Sequence, residues 1–333
     1  MKKLLSILLA LTLLFALAAC NNTDNGTGDD ENNENLDNVN DGDTTTTYRI
    51  GVIQLTSHPA LDAAREGFVA GLDAAGIDYT IDVQNAGGEQ SNCPTLATKL
   101  VNDKVDLILA IATPAAQAAA QATDTIPVLV TAVTDPAYAG LVASNEAPGG
   151  NVSGTSDMNP VEDQLELMLK LAPETKTVGI LYNAGEDNSI LQADLAEEVL
   201  TAKNIAVERF TASETSQVQS VAQSMVGKVD AVYIPTDNLM ADTMATISMV
   251  LTPAGIPTVC GEGNMVTSGG LATYGFSYEA LGRQTAEQAV SILRDGAEVG
   301  TIPIGFYNGE LELIVNEDIA AELGIEIPAD LVE

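Results

Sequence analysis

The sequence predicts an α/β fold of two doubly wound lobes, each a parallel sheet with helices on both faces, joined by a hinge of several strands. Three observations carry that prediction. Beyond Thr47, short apolar, β-rich runs alternate with segments of helical periodicity. The alternation occurs twice, and the two sets match each other internally. Late segments of the chain then read as returns from the second set to the first and back.

In the first set the strand candidates are 48–55, 79–85, 105–112 and 128–133, each bounded by turn residues or a proline. Between the first two, Leu61, Ala64, Phe68 and Leu72 recur at three- and four-residue steps, the stripe of a helix facing a core. The second set places strands at 177–183, 207–211, 229–236 and 258–261, with helices near 160–172, 189–203, 215–227 and 239–252. Continuous apolar strands separated by helices mean parallel sheets covered on both faces. Residues 151–158 read as a crossing to lobe two, and 271–277 with a helix at 280–293 as the return to lobe one. Residues 302–315 read as one strand crossing back, ahead of a short helix at 318–323. The lobes are therefore expected at 48–157 with 278–299, and 158–277 with 300–333.

The repeat is explicit. Val105-Asp106-Leu107-Ile108 leads into Thr113-Pro114, a helix, and Ile126-Pro127-Val128; Val229-Asp230-Ala231-Val232 leads into Thr236-Asp237, a helix, and Ile256-Pro257-Thr258. Both arms put a polar Thr or Asp where an apolar strand gives way to a helix. In an open parallel sheet, ligands bind outside the carboxyl ends of the strands. Two such edges facing each other make a cleft, and several crossings allow a hinge.

Composition narrows the function. The chain of 333 residues has room for roughly two domains. Thirteen Lys and Arg stand against 47 Asp and Glu, a net charge of −34. That balance excludes a nucleic-acid binder, which must neutralise phosphates, and a protein held electrostatically on anionic lipid. With His58 the one histidine and Cys20, Cys93 and Cys260 the only cysteines, a His-rich metal site and a disulfide framework are excluded; no metal or cofactor is expected. Cys93 and Cys260 fall in different predicted lobes and are expected unpaired. Gly261-Glu262-Gly263 begins like a dinucleotide fingerprint but lacks its third glycine, and a lone histidine without a nucleophile motif argues against a hydrolase.

The first twenty residues form an address. Lys2 and Lys3 precede a charge-free apolar run over 4–19, shorter than the ~20 residues that span a bilayer. The run ends Leu17-Ala18-Ala19-Cys20, which resembles the bacterial lipobox, in which the cysteine is lipidated; a plain secretory signal is the alternative. Residues 21–47 are polar and acidic, a composition that cannot offset ordering entropy and is expected to act as a tether. With the eight acids of that tail and the two leader lysines set aside, 39 acids face 11 bases on residues 48–333, so the body is acidic as well.

These residues together resemble the substrate-binding lipoproteins of bacterial ABC importers, of the tryptophan/tyrosine-type group. The stretches that carry the resemblance are Gln54 through His58-Pro59-Ala60-Leu61-Asp62, Ala112-Thr113-Pro114, Thr134-Asp135-Pro136, Tyr182-Asn183 with Glu186 and Asn188-Ser189, Pro235-Thr236-Asp237-Asn238, and Leu281-Gly282-Arg283-Gln284. The resemblance implies a type-I periplasmic-binding fold of Rossmann-like lobes and an aromatic amino acid (Trp, Phe or Tyr) as ligand. It further implies an ABC permease with its ATPase as partners, and a monomer lipid-anchored on the extracytoplasmic face of the cell membrane. A sensory role, or an aliphatic amino acid or a sugar as ligand, suits the same fold.

Carried over position by position, lobe one is expected to offer Gln54, His58, Thr113 and Asp135 to the cleft. Lobe two is expected to offer Asn183, Glu186, Asn188, Ser189, Asp237 and Asn238. Asp237 is the leading partner for a ligand ammonium, with Glu186 second. Each residue has a structural alternative: His58 and Asp237 as helix caps, Asp135-Pro136 as a turn, Asn188-Ser189 as a helix start.

Overall fold

The computed structural model describes residues 46–331. The expected leader with Cys20, and the tether up to residue 45, lie outside the described residues.

The first half of the chain runs β1 (Tyr48–Gln54), α1 (Pro59–Ala74), β2 (Tyr79–Asn85), α2 (Cys93–Asn102), β3 (Leu107–Ile111), α3 (Thr113–Ala122), β4 (Val128–Val133) and β5 (Val152–Ser156). The second runs α4 (Val161–Leu171), β6 (Thr177–Tyr182), α5 (Asp187–Ala202), β7 (Ala206–Thr211), α6 (Thr215–Met225), β8 (Ala231–Ile234), α7 (Asn238–Leu251), β9 (Thr258–Cys260), α8 (Gly263–Thr267) and β10 (Ala272–Gly275). The chain closes with α9 (Tyr278–Leu293), β11 (Gly305–Phe306), β12 (Glu312–Val315) and α10 (Glu317–Leu323).

Local chemistry sets the boundaries. Pro59 opens α1, where a missing N–H costs nothing. The side chains of Asp237, Ser277 and Asn316 cap α7, α9 and α10 by accepting from the N–H groups of Met240, Ala280 and Ile319. Every residue of β3, β4 and β5 is buried, as central parallel strands require.

One sheet is ordered β11-β5-β4-β3-β1-β2 and the other β12-β10-β9-β8-β6-β7. The two orders are the same permutation, so the internal repeat of the sequence is a repeat of topology. All pairings in the first sheet are parallel. In the second, β12 lies antiparallel on β10, a departure from the all-parallel expectation confined to one edge.

Two further details differ from the sequence reading. Residues 151–158 are not all crossing: β5 first pairs with β4 inside the first sheet. The single strand expected over 302–315 is two strands, β11 beside β5 in the first sheet and β12 in the second. Asn308-Gly309, a turn pair, interrupts the run, so the chain leaves the first sheet beyond Phe306 instead of at 300.

The first sheet shares a core with α1, α2, α3 and α9; the second is covered by separate apolar clusters on its two faces. The return helix α9 packs directly on α1 because glycines let the backbones meet. A Cβ on Gly282 would lie 2.0 Å from the Ala64 carbonyl oxygen, and one on Gly67 2.0 Å from that of Glu279. Cys93 and Cys260 are free thiols buried in different lobes.

Candidate ligand-binding cleft

The two carboxyl-end rims supply the walls of a cleft. His58 follows β1, Thr134 follows β4 and Asp157 follows β5; from the other lobe, Asp237 and Asn238 follow β8 and Glu262 follows β9, while Asn188 stands in the first turn of α5. Tyr278, at the start of α9 on the second crossing, completes a narrow inner space with room for little more than a water molecule. A wider outer recess shares Asn238 and adds Thr56 and Glu89 from lobe one and Asn183, Glu186 and Asp242 from lobe two. The position at strand ends, at the rim of an open sheet, is where side chains project past the last ladder hydrogen bond.

Among the described residues no lysine or arginine lines the inner cleft, while three carboxyl groups do. Burial is the first cause of their perturbed acidity. It pushes Asp157 up to about 6, although the Tyr278 hydroxyl donates to it. It pushes Glu262 up to about 7, against hydrogen bonds from the N–H groups of Asn264 and Met265. Asp237 is raised by burial too. In the outer recess, burial and then the nearby Asp237 charge push Glu186 up to about 8. Burial lowers the pKa of His58, which stands 3.4 Å through Nε2 from Asn238 Oδ1, so the imidazole is neutral at pH 7.

Four buried polar side-chain atoms among the described residues have no hydrogen-bond partner: His58 Nδ1, Asp157 Oδ1, Asn159 Oδ1 and Asn188 Oδ1. Three belong to residues that line the cleft, from both lobes. Asn159 lies beside it, donating to the Asp157 carbonyl and, at 3.3 Å, to the Thr236 hydroxyl. An orphaned buried polar atom costs about 1–3 kcal/mol. Such atoms collected on one cleft form a surface complementary to a polar ligand.

The structure divides the sequence-selected residues. His58, Asn188, Asp237 and Asn238 line the inner cleft, and Asn183, Glu186 and Asn238 the outer recess. Gln54, Thr113, Asp135 and Ser189 line neither. Gln54 is tied to Asp62 and Arg65 beneath α1. Thr113 is buried as the first residue of α3. Asp135 holds its own turn by accepting from the Ala137 and Tyr138 N–H groups. Ser189 is fully buried and receives a hydrogen bond from Asn188. Asp237 is a cap as well as a wall: Oδ1 accepts from Met240 N at 2.9 Å and Oδ2 from Asn183 N at 2.6 Å.

Sequence reasoning missed Thr134, Asp157, Glu262 and Tyr278. Asp157 and Glu262 stand directly beyond β5 and β9, so the strand-end rule that selected Thr113 and Asp237 reaches Glu262 from the strand expected at 258–261, and Asp157 once β5 is recognised as a sheet strand. Tyr278 carries no such signal, since its place depends on the path of the second crossing.

Comparison with known proteins follows the geometry. The family model described as ABC transporter substrate binding protein matches residues 49–333. A tyrosine-binding protein of Clostridioides difficile (strain R20291) is 40% identical over 330 residues, covering 98% of this chain and 93% of that one. The crystal structure of an ABC domain in complex with L-Trp from Streptococcus pneumoniae is 37% identical, with a TM-score of 0.83, covering 86% of this chain and 98% of that one. A ligand-free, open substrate-binding protein from Clostridium difficile is 44% identical over 85% of this chain and 97% of that one, yet its TM-score is 0.66. With a family match over nearly the whole body and a paired-rim cleft in place, this chain belongs to the ABC transporter substrate binding protein family, and it binds a solute instead of converting one.

Proposed function

We propose that the protein captures an aromatic amino acid, Tyr, Trp or Phe, in the inter-lobe cleft and delivers it to an ABC permease and its ATPase. The observation that carries this reading is the convergence of unpartnered buried polar atoms from both lobes on one narrow space without a lysine or arginine. Such a surface suits a small solute with a positive group, an ammonium above all. The tyrosine-binding relative and the L-Trp complex supply the aromatic class.

Capture works by population shift: a ligand that touches both rims favours the arrangement in which the lobes are drawn together. The better superposition on the L-Trp complex than on the open structure of higher identity is consistent with lobes drawn together here. In this reading Cys20 carries lipid chains that hold a monomer at the extracytoplasmic face of the cell membrane, close to its permease. One acyl chain binds a bilayer weakly and several hold firmly.

The test is a thermal-shift panel on the purified protein with the twenty amino acids and common sugars. A ligand at 100 times its Kd adds about 2.7 kcal/mol of stability. Aromatic amino acids are expected to raise Tm and sugars to leave it unchanged; the reverse pattern would overturn the ligand class. For the anchor, Cys20→Ser is expected to release the protein from membranes into the medium, and its retention would remove the lipid from the scheme.

A further inference from the structure

We propose that Asp157 is the residue that anchors the ligand ammonium, and that Asp237, the carboxylate the sequence favours for this task, is a structural cap. The inference rests on the amino-acid reading above and names the group within the cleft that decides it. A carboxylate that receives an ammonium needs a free oxygen facing the ligand. Asp237 is the less available of the two, because each oxygen already accepts from a backbone N–H group, Met240 on its own helix and Asn183 at the end of β6. Glu262 is likewise committed, with Oε1 accepting from Met265 N and Oε2 from Asn264 N and Nδ2. Asp157 differs. Its Oδ2 receives the Tyr278 hydroxyl at 2.8 Å, and its Oδ1 is buried without a partner on the cleft wall.

The surroundings of Asp157 hold that oxygen in place. Tyr278, which orients the carboxylate, stacks on Phe276 with ring centroids 5.7 Å apart, and Phe276 stacks on Tyr307 at 4.6 Å. Asp157 lies between β5 and α4, on the passage from the first sheet to the second; Phe276 and Tyr278 lie on the return, and Tyr307 on the last passage between the sheets. The carboxylate is therefore pinned where all three passages meet, with its negative charge close enough to Glu262 to help raise the pKa of that residue. Among the described residues no lysine or arginine lines the space, so a positive charge there is the ligand's to supply. A solute lacking the amine would leave Asp157 Oδ1 desolvated and unpaired, which is the origin of discrimination.

The experiment is calorimetric titration of wild type, Asp157→Asn and Asp237→Asn with L-Trp and with indole-3-propionate, which is L-Trp without its amine. Wild type is expected to prefer L-Trp by about 100-fold or more, the consequence of leaving one partner of a buried charge pair alone. In Asp157→Asn that preference is expected to collapse to within a few-fold, through loss of L-Trp affinity; in Asp237→Asn it is expected to persist. Asp157→Ser serves as a second variant should the amide not fold. A preference undiminished in a folded Asp157 variant would overturn the anchor alone. Failure of wild type to bind L-Trp, L-Tyr or L-Phe would overturn the amino-acid reading and the anchor with it.

Discussion

Removing the Asp237 side chain is expected to weaken the fold itself, and the size of the effect follows from its two hydrogen bonds. In Asp237→Ala, α7 loses its N-cap, which costs about 1 kcal/mol. The Asn183 N–H, which donates to Oδ2 at 2.6 Å from 54 residues away, is orphaned in a buried junction, at about 1–3 kcal/mol. Against these stands the relief of a buried carboxylate whose pKa burial has raised, and of its repulsion with Glu186. A net loss of about 2–3 kcal/mol follows. For a body of this size, Tm falls by roughly 2–4 °C per kcal/mol, so the unliganded variant is expected to melt about 5–10 °C below wild type in scanning calorimetry. Asp157→Asn provides the contrast, because it replaces a carboxyl that burial disfavours and orphans no backbone group; its unliganded Tm is expected at or above that of wild type. An Asp237→Ala protein that melts with wild type would refute the assignment of this residue as a tie between β6 and α7.

Stability is expected to fall as pH rises. Asp157 at about 6, Glu262 at about 7 and Glu186 at about 8 all titrate above their ordinary values, so between pH 4 and 8 the folded protein holds protons the unfolded chain has released. Each group contributes a slope of at most about 1.4 kcal/mol per pH unit, and a Tm that is flat or rising from pH 5 to pH 8 would remove these groups from the account. At the α1–α9 contact, Gly282→Ala forces a Cβ to 2.0 Å from the Ala64 carbonyl oxygen, so the helices have to separate. A loss of about 3 kcal/mol is expected, read as a lower urea midpoint, and an unchanged midpoint would mean that the two helices do not meet through this glycine.

The sequence by itself determined the two-lobed α/β architecture and the rims. The run Leu107–Ile111 is apolar at every position and Val128–Val133 at every position but Thr131, and only a sheet covered on both faces buries every side chain of a strand. The duplicated pattern around Val105 and Val229 carried the repeated strand order, because each half has to solve the same packing problem with the same elements. The strand end at Asp237 was legible for that reason, whereas His58 and Asn188 entered through the family resemblance. Tertiary structure decided the rest. The path of the last passage turned on an Asn-Gly pair, Asn308-Gly309, inside an otherwise strand-like run, and the placing of β11 depended on a free edge beside β5. Asp157 and Asp237 present the same carboxylate in sequence, each just beyond a strand. What separates them is which oxygens distant groups reach: Asn183 and Met240 donate to both oxygens of Asp237, while Tyr278 donates to one oxygen of Asp157 and leaves Oδ1 without a partner. Hydrogen-bond saturation is a property of three-dimensional neighbours, and local periodicity carries no record of it.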